Sequence, residues 1–138
     1  MGKPKLRVVG AAVMRDGRCL VAKRAPGRTD GGRWEFPGGK VEPGETRPQA
    51  LVRELREELT VDVMIGAWLG QGLVERPQRQ ILLDVYAASI LSGDPRALEH
   101  EALRWCAADE LEGLDWADAD KPVVAAVIAR LLGVRGAS

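Results

Sequence analysis

Histidine is almost missing from this chain. His100 is the single one among 138 residues, so any mechanism that needs two imidazoles is excluded. Cysteine is nearly as scarce: Cys19 and Cys106 make no disulfide framework and have no zinc-ligand spacing. Both lie in apolar, strand-like stretches and are expected in the core. Net charge is absent too, with 20 Lys and Arg against 20 Asp and Glu, which argues against a partner that is a long polyanion. No apolar run approaches the ~20 residues of a membrane helix, and the basic start, Met1 to Arg7, leads into no signal-type apolar core. The expectation is one soluble, cytoplasmic domain over residues 1–138, with no membrane and no nucleic-acid polymer as partner.

What charge there is lies unevenly. Residues 1–40 carry ten basic and three acidic side chains, and residues 41–138 carry ten and seventeen. A basic first third facing an acidic remainder suits a small anion held partly by metal ions. Charge also varies along any chain, so the asymmetry gains meaning only from what accompanies it.

Leu6–Met14 is apolar and β-branched, and Asp16-Gly17 then separates it from Cys19–Ala22, predicting a hairpin with a tight turn at Arg15–Arg18. Residues 25–33 read as loop, Trp34–Phe36 as a short extended piece, and Pro37-Gly38-Gly39 and Pro43-Gly44 as the punctuation before a helix. That helix spans 47–59. Thr46 is its N-cap, Gln49 completes a capping box, Pro48 is tolerated in the first turn, and Leu51, Leu55 and Leu59 form one stripe. Strands follow at Val61–Val74 and Arg79–Leu91, turning at Arg76-Pro77-Gln78, and a shorter one at Glu101–Ala107. A helical turn at Asp109–Leu114 and a terminal helix at Val123–Leu132 complete an α/β chain, a mixed sheet sandwiched between helices. Trp34, Trp68 and Trp105 alternate with strand residues and are expected in the core.

The 47–59 helix also carries chemistry. Glu54, Glu57 and Glu58 share one arc beside the leucine stripe, where like charges repel. A solvated helix in which Arg53 pairs with Glu57 accounts for this run taken alone. With Glu45 converging from the preceding loop, the carboxylates instead make a hard-oxygen site for Mg²⁺ or Mn²⁺. Gly38 and Gly39 let backbone groups approach a metal or phosphate closely, and Lys40 with Lys23-Arg24 supplies cations for phosphate oxygens.

Gly39, five residues, Glu45, seven residues, Arg53-Glu54-Leu55-Arg56-Glu57-Glu58 and Val61 together resemble the Nudix box. The box usually has Gly where this chain has Thr60, which bears on the left-handed helix C-cap rather than on the chemistry. Ala22–Ala25, Trp34–Lys40, Leu51–Glu58 and Glu99–Cys106 extend the likeness to the MutT group, within it to the CTP pyrophosphohydrolase branch. The resemblance implies the Nudix fold and hydrolysis of a nucleoside triphosphate to the monophosphate and pyrophosphate, with Mg²⁺ as cofactor and Mn²⁺ as substitute. It implies Gly38, Glu54, Glu57, Glu58 and Glu99 as metal ligands, Arg53 as the group that holds the carboxylates, and Arg24 and Lys40 on the phosphates. Glu99 leads as general base, with Glu45 and Glu54 as alternatives.

Phe36, Arg79, Trp116, Asp118 and Asp120 fall where MutT-like enzymes line the base site. Oxidised-guanine hydrolases place Asn at the position of Asp120; an ionised Asp only accepts, which suits the cytosine amino group and leans toward CTP, dCTP and 5-methyl-dCTP. Alternatives stay open: an 8-oxo-dGTP hydrolase, a nucleoside-diphosphate-sugar hydrolase, or a nucleotide-binding module without catalysis. Asp118 and Asp120 also stand where they would cap the last helix. The assembly is expected to be a monomer or homodimer.

Overall fold

The computed structural model describes residues 2–133. Its elements in chain order are strands β1 (Lys5–Arg15), β2 (Arg18–Lys23), β3 (Trp34–Glu35) and β4 (Gly38–Lys40), helix α1 (Arg47–Leu59), strands β5 (Asp62–Glu75), β6 (Gln80–Ser92) and β7 (Ala102–Cys106), and helices α2 (Ala108–Glu112) and α3 (Val124–Leu131), the last entered through a 3-10 turn at Lys121–Val123. No helix among the described residues is long and apolar enough to cross a membrane.

One mixed seven-stranded sheet runs β3-β2-β1-β6-β5, with β4 paired to β1 and β7 to β2. The long β1–β6 pairing is parallel and the others are antiparallel. Side chains alternate across the pleat, so β1 feeds two apolar layers: Val9, Ala11 and Val13 face one way and Ala12 the other. Leu51, Leu55 and Leu59 of α1 close the first layer, while Leu111 of α2 and Val124 and Val127 of α3 close the second. Cys19 and Cys106 are buried in the second. The sandwich read from the sequence is therefore the observed fold.

Helix α1 begins and ends where its sequence signals stand. The Thr46 hydroxyl accepts from the Gln49 amide at 3.2 Å, and the Gln49 carbonyl oxygen accepts from the Thr46 amide at 2.9 Å. At the other end Thr60 takes φ 61°, the left-handed cap that glycine adopts without cost.

One expectation is corrected. Trp34 and Trp105 pack partly buried against the two apolar layers, but Trp68 is 54% exposed. A polar neighbour holds it at the surface of β5: its indole N–H donates to Asp84 Oδ1 at 2.8 Å, and Gln71 donates to the same oxygen at 3.0 Å. Asp84 itself is buried and faces Arg47 Nε at 2.9 Å through its other oxygen. Bulges in β5 between Ile65 and Gly70 bring these groups together on one face.

Candidate active site

Strand β4 is short because its task is one of placement. Ala11 N–H donates to Pro37 C=O at 2.8 Å and Val41 N–H to Arg7 C=O at 3.0 Å, so the Pro37–Val41 segment is stitched flat along the middle of β1 and under α1. Only glycine fits there. A Cβ on Gly38 would sit 1.9 Å from the Val9 carbonyl oxygen, and one on Gly39 would sit 2.3 Å from the Glu54 carboxyl carbon.

Arg53 organises the acidic face of α1. Its guanidinium donates twice to Glu45 (2.8 and 2.9 Å), to Glu54 Oε1 at 2.9 Å, to Glu57 Oε2 at 3.3 Å and to the Lys40 carbonyl at 3.0 Å. This five-donor fork is one lysine could not supply. It holds the Glu45 carboxyl down to about 2, helped by the Glu42 amide. Glu45 does not line the cavity described next, and an acid so strongly stabilised as its anion is a poor proton acceptor.

A cavity of about 870 Å³ opens beside this face. Glu54, Glu58 and Glu99 line it together with Gly38, Gly39 and Lys40. Glu58 Oε2 is buried with no hydrogen-bond partner among the described residues. Burial first, then the neighbouring charges of Glu54, Glu99 and Glu35, push the Glu58 carboxyl up to about 9. Glu54 is raised as well, by burial that outweighs its bond to Arg53. A crowd of carboxylates in which one buried oxygen lacks any donor fits an oxygen-preferring divalent cation, which would compensate the charges that now repel. Among the described residues no group of three His, Cys, Asp or Glu side chains is arranged so that it could hold a metal ion by itself. Glu57 stays outside the cavity, with its side chain 60% exposed.

The remaining expected residues separate into two groups. Arg24, Lys40, Phe36, Arg79 and Asp120 line the cavity, whereas Trp116 and Asp118 do not. Trp116 is buried behind Phe36, ring centroids 4.7 Å apart, with its indole N–H spent on the Leu111 carbonyl at 2.8 Å. It supports the Phe36 ring from below. Asp118 is drawn outward by Arg33 at 3.0 Å and Lys121 at 3.4 Å. Neither aspartate caps the terminal helix by a side-chain bond: the turn starting at Lys121 has none, and Asp120 Oδ2 instead accepts from the Phe36 amide at 2.9 Å. Burial, with Glu35 next, pushes the Asp120 carboxyl well above the usual carboxylate range.

Several cavity residues escape a reading of the sequence, Glu35, His100, Arg28 and Arg76 among them. Glu35 stands between the two acidic centres, raising both Glu58 and Asp120, and binds Arg24 at 2.7 Å and His100 Nε2 at 2.8 Å. Arg24 also donates to the Thr29 carbonyl. The signal for Glu35 is its alternation with Trp34 and Phe36, which turns it away from its aromatic neighbours. Arg28 and Arg76 reach the cavity from a loop and a turn that carry no pattern.

Comparison with known proteins places this architecture. The NUDIX domain model matches residues 4–127. CTP pyrophosphohydrolase of Escherichia coli (strain K12) is 41% identical over 124 residues, covering 90% of this chain and 92% of that protein. The 8-oxo-dGTP diphosphatase of the same organism is 32% identical over 122 residues, covering 88% and 95%. Among solved structures, the solution structure of the E. coli ORF135 protein superposes with TM-score 0.83 at 40% identity, covering 99% of this chain and 96% of that one.

Proposed function

The chain belongs to the NUDIX domain family and is a hydrolase, and from that premise we propose that it cleaves nucleoside triphosphates to the monophosphate and pyrophosphate with Mg²⁺, cytidine nucleotides foremost. The observation that carries the reading is one cavity lined both by the Glu54–Glu58–Glu99 carboxylates, with their unpartnered oxygen, and by Phe36 and Asp120. Its approximate 870 Å³ is the size of a small-molecule site.

Glu54, Glu58 and Glu99, with the Gly38 carbonyl beside them, would hold the cation, and Glu57, outside the cavity, would join them by turning its exposed side chain inward. Bound there, Mg²⁺ or Mn²⁺ supplies charge neutralisation for the phosphates and activation of a water. The side chains of the protein do the rest. Arg53 keeps Glu54 aimed past Gly39 by tying it to Glu45 and the Lys40 carbonyl. Lys40, whose amine has no ion-pair partner among the described residues, and Arg24, held by Glu35 and Thr29, present positive charge to phosphate oxygens. Glu99 takes the proton of the attacking water, with Glu54 as the second candidate, since Glu45 is held by Arg53 outside the cavity.

Phe36 and Asp120 face the base. Asp120 Oδ2 is committed to the Phe36 amide, which leaves Oδ1 for the ligand. Cytosine offers the amino donor and the N3 acceptor side by side, so it satisfies this carboxyl in either protonation state. The relative named CTP pyrophosphohydrolase supports that choice. The second reading, 8-oxo-dGTP, rests on the raised Asp120: a neutral carboxyl donates and accepts as Asn does. The kcat/KM ratio of dCTP to 8-oxo-dGTP, in the wild type and in Asp120→Asn, separates them. On the cytidine reading the wild-type ratio exceeds one and the variant shifts toward oxidised guanine; an unchanged ratio removes Asp120 from base choice.

A further inference from the structure

Arg33 lies outside the cavity, yet it sits at the crossing of three segments that line it. Its NH1 donates to Asp30 Oδ1 at 2.8 Å and to Asp118 Oδ1 at 3.0 Å, and its Nε donates to Asp115 Oδ1 at 3.3 Å. Arg76 NH2 faces the other oxygens of the same two acids, Asp30 Oδ2 at 3.6 Å and Asp118 Oδ2 at 3.5 Å. The four side chains form a closed ring of alternating charge. It joins the 25–33 loop, the β5–β6 turn and the 115–120 segment.

Two backbone bonds close that loop at its mouth, Gly32 N–H to Arg24 C=O and Arg24 N–H to Arg33 C=O, both 2.9 Å. Beyond the mouth, where Gly27 and Asp30 take positive φ, it is held by its own turn bonds, the Arg24 side chain's donation to the Thr29 carbonyl, and the ring. The 115–120 segment is anchored at its start, by Trp34 N–H to Asp115 C=O and Ala117 N–H to Trp34 C=O, both 2.8 Å. Asp120 and Phe36, the base-facing pair, follow directly from those anchors. Asp30 and Arg76 line the cavity themselves. The ring is only partly exposed, with Arg33 at 22% and Asp30 at 19%, so its electrostatics are less screened than those of an open surface pair.

We propose that Arg33, acting through Asp30, Asp118 and Arg76, is a positioning residue that sets the base-facing wall of the cavity against its phosphate-facing wall, and so governs affinity for the nucleobase without touching the reacting atoms. The inference rests on the nucleoside triphosphate reading above. Arg33 suits the task because its planar guanidinium fixes the directions of separate Nε and NH1 donors toward three carboxylates, whereas an ammonium is a compact point charge whose donors rotate freely. The Asp118 carboxyl is held below the usual range chiefly by its bond to Arg33, so it stays the acceptor the ring requires.

The test compares CTP with ribose 5-triphosphate, which has the same phosphates and sugar but no base. In Arg33→Ala the KM for CTP should rise about tenfold, as for a displaced binding wall, while kcat stays within about twofold. The KM for ribose 5-triphosphate should not move. Arg33→Lys, which keeps the charge and loses the fork, should show the same selective rise to a smaller degree, and it serves where the alanine variant fails to fold. An equal rise for both substrates, a fall in kcat alone, or no change overturns the inference. If the wild type hydrolyses neither triphosphate, the functional reading itself falls and takes the inference with it.

Discussion

Single side chains in this protein are set by their neighbours as much as by their own chemistry. Asp120 is buried with Glu35 and Asp30 nearby and Arg24 as the countervailing cation, which raises its carboxyl. An unfolded aspartate ionises near pH 4, so the folded protein resists an ionisation that the unfolded chain accepts. Stability from this group is full below that pH and is lost as pH rises toward the folded value. Asp120→Asn keeps an acceptor for the Phe36 amide and carries no charge to bury. It should therefore raise the melting temperature near neutral pH, with the gap closing toward about pH 3.5. A variant less stable than wild type at both pH values would contradict the raised carboxyl. Thr60 gives a second test: a β-branched residue at φ 61° is strained, and Thr60→Gly should stabilise by about 1 kcal/mol in urea denaturation. Cys19 gives a third. Burial pushes its thiol up to about 12, so it is protonated at pH 8 and should not react with a thiol reagent until the protein is unfolded.

At the scale of elements, α1 does two jobs with two faces. Leu51, Leu55 and Leu59 seal the core, and the arc beside them carries the carboxylates. The faces are separable, so Glu58→Gln should leave unfolding temperature unchanged or higher while lowering turnover by more than the ~10–100-fold that loss of an orienting group costs. Turnover within a few-fold of wild type would remove Glu58 from the site. Gly39→Ala should lower activity too, because its Cβ would displace the Glu54 carboxylate. This helix was fully legible in the sequence, since capping box and leucine stripe are local signals, and the strands around it were legible to within a residue, except β4: Gly38–Lys40 reads as loop punctuation, and only its pairing with β1 makes it a strand. Trp68 was not. Its placement depends on Asp84, sixteen residues away across a bulged strand pair, and no periodicity records that. The same holds for Glu35 and His100, whose 2.8 Å contact spans 65 positions. Spacing shows which residues share a face of one element; it does not show which elements meet.

The whole molecule brings a basic first third onto an acidic helix. Arg24, Arg28 and Lys40 from the first forty residues and Glu54, Glu58 and Glu99 from the rest line one cavity, which gives the uneven charge along the chain a spatial meaning. Mg²⁺ should accordingly stabilise the folded state by linkage, about 1.4 kcal/mol at tenfold excess over its Kd, and Glu58→Gln should lose that shift in a thermal melt. The reaction itself is tested most directly by identifying the products formed from CTP, dCTP, 5-methyl-dCTP, dGTP, 8-oxo-dGTP and ADP-ribose with and without Mg²⁺. Mg²⁺-dependent release of monophosphate and pyrophosphate is expected, with cytidine nucleotides leading in kcat/KM. Release of orthophosphate, or no metal-dependent cleavage of any triphosphate, would contradict it.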